Sequence, residues 1–271
     1  MQIKSESRAS QFGCNGEADK TPARVAPRTT QCTGEALLDR LNTHFRIATS
    51  VGGDELREAQ RIRYQVYCVE NEFENSAEYP DGCERDAFDC HSVHSLLVHC
   101  ASGQAVGTAR LVLPVQQHLA QSFPIQALCG HPHLKLLPLE RMAEVSRFSI
   151  SKQFRRRQTD TLGEGQASSQ SRRGLAPLMS LGLIQSLVRM SAEHGITHWC
   201  ATMEPALLRL LAAMSIRFEP LGPLVRHHGM RQPCYCEVEP MLRRVKFEQR
   251  ALWEVLVSDG SDFHAGRYFA A

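Results

Sequence analysis

From about Glu35 onward the hydrophobic period changes repeatedly along the chain, and each change marks an element. Apolar positions recur at helical spacing over 35–45 and again over 54–70, where Leu56, Ala59, Ile62, Val66 and Val69 share a face and Asp54 is a candidate N-cap. Residues 92–100, 105–113 and 139–151 read as strands, the first two joined by the turn-like Ala101-Ser102-Gly103-Gln104. A longer helix is predicted over 175–194, closed by Gly195. A buried strand over 198–203, a helix over 204–214 and strands over 216–219 and 234–238 follow, with a last amphipathic helix over 241–257. The order α, β, α, three strands, then α-β-α-β-β predicts an α/β (α+β) fold, a mixed sheet flanked by helices.

Two stretches interrupt this pattern. Residues 1–34 hold few large apolar side chains beyond Ile3, Phe12 and Val25, and such a segment cannot offset its ordering entropy by burial. It is expected to be a disordered polar tail, followed by one folded domain over 35–240 and a C-terminal helix and tail over 241–271. Residues 155–174, RRRQTDTLGEGQASSQSRRG, read as a long mobile basic loop inside that domain.

Composition narrows the classes. The 271 residues carry 31 Lys and Arg against 29 Asp and Glu, with 42% hydrophobic and 22% charged residues, as in an ordinary soluble globular protein. A formal net charge of +2 argues against a dedicated nucleic-acid binder, so an electrostatic partner must meet a local patch. No 18 consecutive apolar residues occur, and 174–188 is broken by Pro177, Ser180, Gln185 and Ser186, so no membrane span is expected. The first 20 residues lack the apolar core of a signal peptide, which points to a cytoplasmic protein whose ten cysteines are reduced. Cys234 and Cys236, or Cys83, Cys90 and His91, lack the paired spacing of a structural zinc site, and no metal is expected.

Three polar clusters stand out. Arg63 and Tyr67 are one helical turn apart with Phe73 beyond, which by itself reads as a solvated Arg lying over an aromatic ring. In Glu84-Arg85-Asp86-Ala87-Phe88-Asp89, Asp86 and Asp89 are placed either to accept a cationic group or to clamp an arginine. The strongest cluster is Glu144, Ser146 and Arg147 on a strand that should be buried, with Arg110 on the strand before it. Charges there cost several kcal/mol per ion unless each is paired or meets a substrate.

In this order and spacing, RIRYQVY at 61–67, ERDAFD at 84–89, GTARL at 107–111 and EVSRFSI at 144–150 resemble the acyl-homoserine-lactone synthases and N-acyl amino acid synthases. The segment EHGITHWCATMEPALLRLLAAMSIRFEPLGP looks more like the N-acyl amino acid branch, and LPLERMAEVSRF resembles acyltransferases associated with PEP-CTERM/exosortase systems. The resemblance covers about 46–239. It implies the GNAT fold, a bent mixed sheet whose central strands splay to admit a thioester. It also implies an N-acyltransferase with no tightly bound cofactor, using acyl carrier protein or acyl-coenzyme A as donor and a small amine, from an amino acid or S-adenosylmethionine, as acceptor.

By the same resemblance Glu144, Arg147, Arg110 and Ser146 are candidate catalytic residues, and Arg63, Tyr67, Phe73, Asp86 and Asp89 line the acceptor side. Glu144 suits a general base, and Arg110 or Arg147 suits the acceptor carboxylate. Lys152, Arg155, Arg156, Arg157, Arg172 and Arg173 form a basic patch suited to acyl carrier protein. The acidic turn at 84–89 and this basic loop are expected on opposite sides of one cleft. A conventional acetyl-coenzyme A N-acetyltransferase and a non-catalytic RNA-binding protein that uses the basic loop are the competing readings.

Overall fold

The Thr33 hydroxyl accepts the Ala36 N–H at 3.3 Å and caps the first helix, α1 (Gly34–His44). The chain turns extended at Phe45, so β1 (Phe45–Ala48) begins where the helical periodicity still ran. In α2 (Gly53–Tyr64) the N-cap is Gly52, not Asp54; Asp54 and Glu55 lie in the first turn, where their charge complements the helix dipole. The helical path continues to Glu70 as expected, but Gln65–Glu70 widens into a π turn. There follow β2 (Ser92–His99), β3 (Ala105–Val112), a long excursion holding the short α3 (Ile125–Leu128), and β4 (Met142–Ile150). Next come α4 (Leu175–Glu193), β5 (His198–Met203) and α5 (Pro205–Ala213). The last elements are β6 (Glu219–Pro220), β7 (Val225–Arg226), β8 (Met230–Glu237), α6 (Val238–Glu248) and α7 (Arg250–Leu256).

The computed structural model describes residues 33–152, 154 and 175–258. Its strands form a mixed sheet in the order β1-β2-β3-β4-β5-β8-β6, with β7 pairing β8 off that path. Four expectations need correction. The strand expected over 139–151 starts only at Met142, because Leu139–Arg141 forms a 3-10 turn after Pro138. The strand expected over 216–219 is only Glu219–Pro220, while Ile216 is buried in the core; β8 starts at Met230, four residues before the expected strand. The expected C-terminal helix is two helices, broken at Gln249, whose φ of −145° and ψ of 69° are not helical.

Helix α4 is apolar nearly all round, and such a helix belongs inside. It is long and apolar enough to cross a membrane, but most of its apolar window is buried against β1 to β4 in the main core. Gly182 permits that approach: a Cβ there would meet methyl groups of Ile47, Leu97 and Leu41 at 3.1–3.3 Å. The other sheet face is covered by α2 and by a second core around Phe123, Ile125, Leu134, Met142 and Cys200.

The decisive feature for function is a parting of strands. β4 runs parallel to β5 through only three pairs, Met142 with His198, Ala143 with Trp199 and Glu144 with Cys200. Beyond them β4 stays with β3 as far as Ile150, and β5 stays with β8 as far as Met203. A wedge therefore opens immediately after Glu144, which is the expected splay of the central strands.

Candidate active site

Arg63 ends α2 on its buried side, and its side chain is fully enclosed rather than solvated over a ring. Its Nε donates to Glu84 and its Nη1 to Asp89 at 2.8 Å. Asp86 and Asp89 form a capping box on the turn Ala87–His91, which fixes both carboxylates. Asp86 then clamps Arg110 bidentately, Oδ1 to Nη1 at 2.6 Å and Oδ2 to Nη2 at 3.0 Å, and Arg110 also reaches Asp89. Arg147 closes the ring, donating through Nη2 to Glu84 and to Asp86 at 2.9 Å each. Three arginines thus meet three carboxylates.

The charges cancel, which is how the ions tolerate burial. Burial alone would raise the pKa of all three carboxylates, but Arg63 and Arg110 hold Asp89 well below the usual carboxylate range, and Arg110 with Arg147 lowers Asp86 as Arg147 with Arg63 lowers Glu84. His94 faces Arg110 across the β2–β3 pair, and burial with Arg63 beside it lowers its pKa to about 4, keeping the ring neutral. The turn at 84–89 is therefore not an exposed acidic patch, because it folds inward onto the arginines. Arg110 donates Nε to Ser146 at 2.9 Å and spends both other nitrogens on Asp86 and Asp89, so it has no fork left for an acceptor carboxylate.

Ser146 sits opposite Arg110 in register, and the next residue, Arg147, bulges with φ of +49°. Further along, Gly107 stands opposite Ile150, where a Cβ would come within 3.0 Å of the Ser149 carbonyl. The bulge swings the Arg147 guanidinium over the Tyr67 ring, 4.7 Å from its centroid. Tyr67 packs edge-on to Phe73, and the hairpin residue His228 stacks on Phe73 and meets Tyr67 edge-on.

Between these walls lies a cleft of about 340 Å³. Glu144 and the bulged strand line one side, Tyr67, Glu70, Asn71 and Phe73 a second, and Thr202, Glu204, Leu207 and Leu210 a third, with His227, His228 and Arg231 from the β7–β8 hairpin. Glu144 stands where the wedge begins. It is 3% exposed, accepts the Ile125 N–H at 2.7 Å and has no salt bridge among the described residues. Burial pushes its pKa up to about 8, only partly offset by the Ile125 N–H and by Arg110 and Arg147. Such a carboxylate exchanges a proton with an amine near neutral pH.

Lys152 also lines the cleft, with its ammonium on Asn71 Oδ1 at 2.6 Å and its backbone N–H on Glu70. Arg155, Arg156, Arg157, Arg172 and Arg173 lie outside the described residues. Sequence reasoning left Glu84 out of the site and missed Thr202, His227, His228 and Arg231. Glu84 was legible in ERDAFD as a third acid beside three arginines, whereas the hairpin residues carry no local signal.

Comparison with known proteins bears on the fold. Residues 62–163 match the acetyltransferase (GNAT) domain family. TofI, in a ternary complex with an inhibitor and MTA, is 16% identical and superposes with a TM-score of 0.52 over 77% of this chain and 96% of that one. The AHL synthase LasI is 19% identical, with a TM-score of 0.48 over 71% and 88%. FeeM, an N-acyl amino acid synthase from uncultured soil microbes, is 16% identical, with a TM-score of 0.42 over 74% and 93%. A search of curated proteins finds no match. The expected GNAT fold is present, and the acyltransferase expectation agrees with the matched domain.

Proposed function

We propose that the chain is a GNAT-fold N-acyltransferase that moves a fatty acyl group from a thioester donor to the amine of an amino acid or related small acceptor. The observation that carries the reading is Glu144, a buried carboxylate with a raised pKa, opening onto a cleft where two sheet strands part. The acceptor amine arrives as an ammonium and loses its proton to ionised Glu144, directly or through water. The free amine then attacks the thioester carbon and the C–N bond forms; the tetrahedral intermediate collapses, the C–S bond breaks, and the thiolate leaves with the proton that the nitrogen gives up. Backbone N–H groups along the part of β4 that β5 leaves unpaired suit the developing oxyanion. No covalent enzyme intermediate is required; Cys200, the cysteine across from Glu144 in register, is buried and its pKa is raised well above the ordinary thiol value.

The three-arginine, three-carboxylate ring supports this site from below: it fixes the bulge that presents Arg147 to the cleft. Arg63, Arg110, Asp86 and Asp89 are thus positioning residues. Tyr67, Phe73 and Arg147 face the acceptor, and Ser146 orients Arg110. Acyl carrier protein is the favoured donor over acyl-coenzyme A because of the charge of the 155–173 segment, in which Arg155, Arg156, Arg157, Arg172 and Arg173 suit its acidic surface. The docking role of Lys152 is narrower, since its ammonium faces the cleft, where it suits the phosphate of the donor arm. Mass spectrometry of lipid extracts from cells producing the protein or its Glu144→Gln variant tests the reading. N-acylated products present with the first and absent with the second support it, and equal products from both overturn it.

A further inference from the structure

We propose that Arg231 is a specificity residue that takes the acceptor's carboxylate together with Arg147 and turns away acceptors carrying a cationic side chain. The proposal rests on the acyltransferase reading and names the acceptor class: an α-amino acid with a free carboxylate and a side chain without positive charge.

The observation is that cations already occupy the aromatic corner of the cleft. Aromatic rings lining a site ordinarily welcome a ligand cation on their faces. Here Arg147 lies over Tyr67 at 4.7 Å, Arg231 lies over Phe73 at 5.5 Å, and His228 stacks on Phe73 at 5.5 Å. A sulfonium or ammonium side chain brought to these rings finds their faces already taken by the Arg147 and Arg231 guanidinium groups, so the attraction an aromatic corner offers a cation is already spent. Burial first, and then Arg147 and Arg231 among their neighbours, lower the pKa of both hairpin histidines, and His228 Nε2 lies 3.1 Å from the Glu74 carboxylate.

The same two arginines are equipped for a carboxylate. Arg147 spends Nε and Nη2 on Glu84 and Asp86, and Nη1 has no hydrogen-bond partner among the described residues. Among the described residues Arg231 uses only Nη1, on Glu204 at 3.2 Å, and the Glu204 side chain is 59% exposed. Arg231 itself is 15% exposed and lines the cleft. Both arginines therefore line one cavity and both keep N–H groups without a hydrogen-bond partner among the described residues, the donors that a planar carboxylate takes up. The backbone supports a built feature. Arg147 and His228 are both non-glycine residues in the left-handed region, φ +49° each, and both press on Tyr67.

The test uses three matched probes: methionine, S-methylmethionine, which adds one methyl and a positive charge, and methioninamide, which lacks the carboxylate. Calorimetry measures binding to the full chain, and thiol release from long-chain acyl thioesters measures turnover. The expected result is methionine binding about tenfold or more tighter than either analogue, the size of one lost charged hydrogen-bond pair. Arg231→Gln should weaken methionine by a similar factor and bring the three probes within about threefold, and Arg231→Lys should keep their order. S-methylmethionine binding as well as methionine, unchanged discrimination in Arg231→Gln, or no binding of methionine each overturns the proposal. Discrimination in binding without any thiol release from any acceptor would uphold the selective site and sink the acyltransferase reading.

Discussion

The ionisation of Glu144 can be measured through stability as well as through catalysis. Glu144 keeps its proton in the folded protein up to a pH of about 8, against an ordinary value of 4.5, because ionising it would bury an unpaired charge. A raised folded-state pKa contributes stability that is fully present below the unfolded value and is lost as pH rises through the folded one. Between those limits the folded state holds one proton that the unfolded state has released. Wild-type stability therefore falls, relative to a variant that cannot ionise, by about 1.4 kcal/mol per pH unit. Over the whole interval the loss is of order 5 kcal/mol.

Glu144→Gln is the natural perturbation, since its amide oxygen still accepts the Ile125 N–H. Urea unfolding of both proteins at successive pH values from 5 to 9 gives the difference directly. The variant should gain on the wild type steadily up to pH about 8 and then level off. Acyl transfer by the wild type should rise through the same region, as the base form accumulates, and should vanish in the variant. Parallel stability curves, or an activity profile flat across pH 8 with a competent variant, would refute the idea that burial sets this group's chemistry.

The charge ring gives a sharper stability loss. Asp89→Ala leaves Arg63 and Arg110 short of a buried partner and should cost about 3–5 kcal/mol in urea unfolding. Arg110→Lys keeps the charge but not the bidentate clamp on Asp86, so thermal unfolding should fall and acyl transfer should drop with it, because the bulge carrying Arg147 loses its support. Gly182→Val drives new methyl groups into Ile47, Leu97 and Leu41 and should destabilise by about 1–3 kcal/mol, measured by chemical denaturation, without moving the pH profile of activity.

The chain itself determined the order of the main helices and strands, the apolar character of α4 and the presence of charge where a central strand should be apolar. These follow from period and polarity, which are local properties. Glu144, Arg147 and Arg110 could be singled out because an ion inside a sheet is costly wherever it lies. What each ion does was decided only by register and strand separation. Arg110 looked like a substrate fork, yet its place opposite Ser146 and beside the Asp86–Asp89 turn consumes its donors. Glu144 read as a candidate general base, but nothing local said whether it would be paired. It has no salt bridge among the described residues, because β5 leaves β4 just there and Arg110 and Arg147 already meet Glu84, Asp86 and Asp89. Arg63 read as a surface residue from its helix alone, since a helix face has no meaning until the acids that meet it arrive from residues 84–89. The hairpin with His228 and Arg231 was invisible for the same reason. Its residues are ordinary in sequence, and only the sheet's closing strand carries them more than 150 residues along the chain to the rings of Tyr67 and Phe73.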